Sequence, residues 1–144
     1  MIKKINYLLV LISIIGSIVI LLISPFNIVN FLKTIAIFIT ILIPYILEKL
    51  FKIKIEEKYK FVIILFVFMA HFLGVIVNLY DKVLYYDKIM HFISGIVTAF
   101  LSIKLVSSKN KYINAILLII ISLAVASIWE IFEYVSSITL NIDP

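Results

Sequence analysis

The chain has 144 residues, 65% hydrophobic and 15% charged, with three Gly, three Pro, no Cys and a formal charge of +5. Its mean hydropathy is +1.25. Soluble domains average about 45–50% apolar and about 25% charged residues, so this composition leaves too little polar surface to cover a water-facing core. The implied solvent is lipid. Absence of Cys excludes disulfides, thiolate metal sites, a Cys nucleophile and a lipoprotein anchor. The positive charge comes from Lys alone, with no Arg. Lysines set between apolar runs point to a membrane surface, and the lack of Arg forks argues against nucleic acid as a partner.

A bilayer core of about 30 Å takes about 20 helical residues, and five apolar stretches reach that length: 5–23, 28–47, 61–79, 89–106 and 112–135. Their continuous apolar runs lack the alternation of a barrel strand, so each is expected to be a helix that satisfies its own backbone. The first follows Lys3 and Lys4, is longer than the apolar part of a signal peptide and has no small-x-small cleavage site, so it reads as an uncleaved anchor. It carries a minor stripe, Ser13, Ser17 and Ser24, suited to packing beside the other helices. A tight turn containing Pro25 leads into the second stretch, where Pro44 marks a kink. The charge run from Glu48 to Lys60 reads as a solvated cytoplasmic loop drawn to anionic lipid.

The third stretch carries His71, Gly74 and Asn78; His71, at mid-depth, reads as a buried imidazole bonded to a neighbouring helix, with a ligand as the other reading. On the fourth, His91, Gly95, Thr98 and Ser102 share a helical face, and on the fifth so do Ser122, Ala126, Glu130, Glu133 and Ser137. Stripes of small and polar residues turn away from lipid and permit close packing. Helices 3, 4 and 5 are therefore expected at the centre of the bundle, with Gly95 at a close crossing. The fold class is all-α: a polytopic membrane helical bundle of about five transmembrane helices in one domain, 1–144.

Lysine placement orients it. Lys3, Lys4, Lys49, Lys52, Lys54, Lys58, Lys60, Lys104, Lys109 and Lys111 fall on one side, against Lys33, Lys82 and Lys88 on the other. The excess marks the cytoplasmic side, so the N-terminus is expected inside and the C-terminus outside, in a multi-pass protein of the cell membrane. Asp81, Asp87, Glu130, Glu133 and Asp143 then gather at the outer leaflet. A carboxylate near the bilayer centre costs about 2.5–3.5 kcal/mol, less toward the interface, so Glu130 and Glu133 need compensation by protonation, a His or Lys partner, or a metal. Asp87 and His91 at i, i+4 and Glu130 and Glu133 at i, i+3 form two pairs expected to lie within a few Å of each other. Carboxylates and imidazole on facing helices are how bundles hold divalent metals, so Asp87, His91, Glu130 and Glu133 are the candidate ligands. His91, Glu130 and Glu133 are also the candidate acids and bases for catalysis. The plainer alternative has Asp87 capping helix 4 and His91 bonded to a carboxylate for structure alone.

Tyr86-Asp87-Lys88-Ile89-Met90-His91-Phe92, with Gly95 following, resembles the Tyr-Asp-Lys/Arg-x-x-His-Phe-x-x-Gly signature of YjdF-like inner-membrane proteins. Trp129-Glu130-Ile131-Phe132-Glu133-Tyr134 is similar to their Trp-Glu-x-x-Glu-aromatic motif, and His71-Phe72-Leu73-Gly74 to a weaker His-x-x-Gly motif. Asp-Lys-x-x-His-Phe alone also resembles VanZ-like proteins; the Trp-Glu pair favours the YjdF-like family. That resemblance implies a further Asp-x-x-x-Asp stretch beyond the Trp-Glu helix, whereas this sequence ends at Pro144, as a truncated copy or a member that lost that segment would. It implies a site and an architecture but no reaction. Two functions follow from the residues: a site acting near the outer leaflet on a lipid-linked or amphiphilic substrate, or a non-enzymatic membrane subunit or envelope-stress factor in which the same residues lock helices together. A proton pathway ranks behind both, since no polar residue continues below His71 on its helix. The lipid bilayer is the implied partner.

Overall fold

A computed structural model describes residues 1–106 and 108–140, with side chains at 104, 132, 133, 136, 137, 139 and 140 outside the described residues. Among the described residues there is no strand. The chain divides into two compact units, Met1–Met90 and His91–Pro144.

The first unit is built on α1 (Ile2–Ile23) and α2 (Ile28–Ile41). Asn6, Ser13 and Ser17 of α1 are fully buried, and each serine hydroxyl returns a hydrogen bond to its own helix, Ser13 to Leu9 O at 2.8 Å and Ser17 to Ser13 O at 2.6 Å. Small side chains that satisfy themselves let neighbouring helices approach, as membrane interfaces require in place of a hydrophobic driving force. Helix 1 is thus a principal packing element of its unit, where the sequence suggested an adjunct. α2 opens on Asn27, whose side-chain oxygen accepts from Val29 N at 2.8 Å, and turns Thr34, Ile37 and Ile41 inward at i, i+3 and i+7.

α3 (Ile43–Phe51) continues the same apolar segment at an angle of 54°. Buried Pro44 accounts for the break, since proline lacks the N–H of the helix ladder and its ring crowds the carbonyl one turn back. The kink expected at Pro44 is present. α4 (Glu57–Val67) then passes directly into a π-helix over Phe68–Ile76, which widens the helix around His71 where a plain α-helix was expected. Such widening is rare and is concentrated at functional or tightly constrained places. Phe72 of this segment meets Gly16 of α1, where a Cβ would come within 2.6 Å of the ring. After Asn78 in the left-handed region come α5 (Leu79–Lys82) and α6 (Tyr86–Ser102), with Asp87 in the first turn of α6. The Tyr86 hydroxyl donates to Met69 O at 2.8 Å, giving a carbonyl of the π-helix an extra partner.

The second unit takes α6 from His91 onward, a 3-10 turn at Ile103–Leu105 and α7 (Lys111–Leu140). Asn110 caps α7 by accepting from Tyr112 N at 2.9 Å. Ser122 of α7 donates to Gly95 O of α6 at 3.2 Å. A Cβ added to Gly95 would nevertheless meet no heavy atom within 4 Å, so the close crossing expected at this glycine is not found. The helices with close glycine contacts are those of the first unit, at Gly16 against Phe72 and Gly74 against Tyr80.

By length and composition, α1, the run Glu57–Ile76 and Lys111–Ile131 of α7 can each cross a membrane, and the bent α2–α3 pair makes a fourth. The sequence reading had five; α6, at 17 residues, is the one outside this set. Large apolar side chains lie exposed along these helices, among them Leu22 and Ile23 on α1 and Ile119 and Leu123 on α7. In water such faces would aggregate, and in lipid they are the proper outer surface.

Candidate functional site

Of the four residues singled out as the site, the structure brings two together within one unit. His91 Nδ1 of α6 lies 3.5 Å from Glu130 Oε1 of α7. The His91 side chain is 29% exposed and that of Glu130 64%, so the imidazole covers one side of the carboxylate and leaves the other open. An imidazole at this distance offsets part of the cost of a carboxylate on an apolar helix when it carries the proton. Asp87 sits in the first turn of α6, where a negative charge complements the helix dipole, and belongs to the first unit. The Glu133 side chain and Asp143 lie outside the described residues. Among the described residues no group of three or more His, Asp or Glu comes together as a metal would need. The arrangement in view is a single imidazole–carboxylate contact.

His71 lies in the π-helix, with its Nδ1 2.9 Å from Thr40 Oγ1 of α2. The same hydroxyl lies 2.9 Å from Ala36 O. A hydroxyl carries one proton, so donating to Ala36 leaves it to accept from a protonated Nδ1. This is the bonded interior histidine read from the sequence, tied to a neighbouring helix.

The most fully buried charge among the described residues escaped the sequence reading. Lys60 of α4 has a side chain only 7% exposed, and its Nζ lies 2.9 Å from Glu48 Oε2 of α3 and 3.0 Å from Glu57 Oε1. Asn6 of α1 donates to Glu57 Oε2 at 3.0 Å, Glu48 Oε1 accepts from Ile55 N at 2.7 Å, and the ammonium stands 5.1 Å from the centre of the Tyr45 ring. Asn6 Oδ1 and the Tyr45 hydroxyl are buried beside this network with no hydrogen-bond partner among the described residues. The charge run 48–60 is therefore no uniformly solvated loop: Lys58 pairs with Glu56 at the surface, while Lys60 turns inward and joins α1, α3 and α4. The available signal was Asn6, a lone amide in an apolar run, together with Glu57 and Lys60 at i, i+3.

At the other end of the first unit, where α1 ends and α2 begins, lies a cavity of about 330 Å³. Lys33, Asp81, Asn30 and Asn78 are among its lining residues.

A family model described as "Predicted membrane protein (DUF2238)" matches residues 6–143. An uncharacterised protein of Thermotoga maritima is 29% identical over 96 residues, which cover 63% of this chain and 50% of that protein. The chain thus spans about half the length of this curated relative. No solved structure matches it.

Proposed function

From the premise that the chain belongs to the DUF2238 family of predicted membrane proteins, we propose that it is a multi-pass protein of the cell membrane in which His91 and Glu130 form an acid–base pair acting on a lipid-linked or amphiphilic substrate. The family matched favours the YjdF-like over the VanZ-like resemblance, and the two stronger YjdF-like motifs are those that contain His91 and Glu130. The observation that carries the reading is the half-open carboxylate: Glu130 is held by His91 on one side and 64% exposed on the other. An exposed ion pair contributes only about 0–1 kcal/mol, so the pair adds little as a helix lock and leaves the carboxylate open to a bound group. Imidazole and carboxylate 3.5 Å apart can pass a proton once they close to hydrogen-bond distance, and can then serve as base and acid toward a bound group. The wider set with Asp87 and Glu133 remains the metal reading, and metal analysis of wild type beside the four-residue alanine variant decides it.

The test is turnover in vesicles of phosphatidylethanolamine and phosphatidylglycerol, with released headgroups and lysolipids read by mass spectrometry. Wild type is expected to generate products, and His91→Gln and Glu130→Gln are expected to lose them while keeping the wild-type melting temperature. The second reading, a helix lock, is favoured by Ser122 donating to Gly95 O between the same two helices. No product from wild type, with a lowered melting temperature in both variants, would establish the lock and end the acid–base proposal.

A further inference from the structure

The cavity in the first unit is lined by two opposite charges, Lys33 and Asp81, that form no ion pair with each other. Lys33 and Asp81 both line it, and among the described residues neither has a hydrogen-bond or ion-pair partner. Asn30, Asn78, Ser24 and Thr34 supply neutral polar groups around them, and Ile20, Leu21, Val75 and Ile76 complete the wall. A cation and an anion sharing one concavity without pairing present complementary charge to a ligand that itself carries both signs.

Its place in the fold narrows the class of ligand. Ser24 closes α1, Asn30 and Lys33 lie in the first turns of α2, and Ile76 ends the spanning run Glu57–Ile76. The cavity is therefore level with the ends of membrane-crossing helices, at the depth of lipid headgroups, and exposed Leu22, Ile23 and Leu32 beside it offer apolar surface for acyl chains. A volume of about 330 Å³ is at the small end of ligand sites, which run about 300–1,000 Å³, and suits a headgroup better than a whole lipid. Among the described residues no aromatic ring lines it. Quaternary ammonium groups are recognised by aromatic cages, whereas a primary ammonium needs hydrogen-bond acceptors, which Asp81 and the asparagine oxygens provide.

We infer that this cavity binds a zwitterionic phosphate–primary ammonium group, as in the ethanolamine headgroup of a phospholipid, with Lys33 on the phosphate and Asp81 on the ammonium. Lys is a good phosphate partner as a point charge on a long stem, and that stem reaches the interface from within an apolar helix. The site is independent of His91 and Glu130 and stands whether or not they are catalytic.

The test uses the full-length purified chain in detergent micelles, with retention of dioleoyl phosphatidylethanolamine, phosphatidylcholine and phosphatidylglycerol followed by native mass spectrometry. Wild type is expected to prefer phosphatidylethanolamine at least tenfold over both others. Lys33→Met and Asp81→Asn, changes at exposed positions that leave the packing untouched, are each expected to lose that preference at an unchanged melting temperature. Free phosphoethanolamine competing as well as the lipid would support the same chemistry and assign a soluble source; failure to compete would assign the membrane lipid. Equal retention of the three lipids by wild type, or a preference that survives in both variants, would overturn the proposal.

Discussion

Lys58 and Lys60 lie two residues apart in one charge run yet have opposite fates. Lys58 pairs with Glu56 at 3.1 Å with both side chains more than half exposed, a geometry that contributes about 0–1 kcal/mol. Lys60, 7% exposed, stands between Glu48 and Glu57, and deleting it would strand two partly covered carboxylates. Lys60→Met is expected to lower the unfolding free energy by about 3 kcal/mol, as for the breaking of a buried ion pair. Lys58→Met should cost less than about 1 kcal/mol. Adding Glu48→Gln and Glu57→Gln to Lys60→Met should recover much of the loss, because these changes remove the charges the first one stranded. Chemical denaturation in detergent measures all three. An equal effect of Lys58→Met and Lys60→Met would show that the inward network carries no stability. The periodicity of a charge run does not say which lysine faces inward; that is fixed by Asn6 and Tyr45 on other helices, which local sequence does not encode.

At the scale of helices, the apolar runs and the Pro44 break were legible because each has a local cause, length or a missing N–H, whereas α6 starts at Tyr86, three residues before the expected 89, because the acidic first turn lies outside the apolar run. What a helix face meets was not local. The stripe His91, Gly95, Thr98, Ser102 suggested that Gly95 receives a neighbour, but the contact there is Ser122 reaching the Gly95 carbonyl, with open space at the Cα. Gly16, unremarked among the serines of α1, is where Phe72 enters. The π-helix around His71 was equally invisible, since the apolar pattern of 61–79 is the same for either winding. Gly95→Leu is accordingly expected to be neutral or stabilising by up to about 1 kcal/mol from helix propensity. Gly16→Val should be destabilising, by about 1–3 kcal/mol through overpacking against a buried ring. Melting temperatures in detergent separate the two; a larger loss at Gly95 than at Gly16 would reverse this assignment of the close-packed face.

The orientation of the whole chain turns on α6. Its 17 residues rise about 26 Å at 1.5 Å each, and the three residues of the 3-10 turn that follows add about 6 Å, which together match a hydrocarbon core of about 30 Å. Lys82 and Lys88 flank its start, whereas Lys104, Lys109 and Lys111 cluster at its end. If α6 crosses, every lysine cluster except Lys33, Lys82 and Lys88 falls on the side of the N-terminus, as the positive-inside rule requires. If it lies on the surface, Lys104, Lys109 and Lys111 join the minority side and the asymmetry falls from ten against three to seven against six. We therefore expect α6 to cross, with the N-terminus and Lys52 cytoplasmic, residues 80–88 external, Lys109 cytoplasmic and the end of α7 external. Reporter fusions placed after Lys52, Asp81, Lys109 and Pro144 check each position in turn. An external signal at Lys109 with a cytoplasmic one at Pro144 would place α6 on the membrane surface and move the end of α7, with Glu130, to the cytoplasmic face.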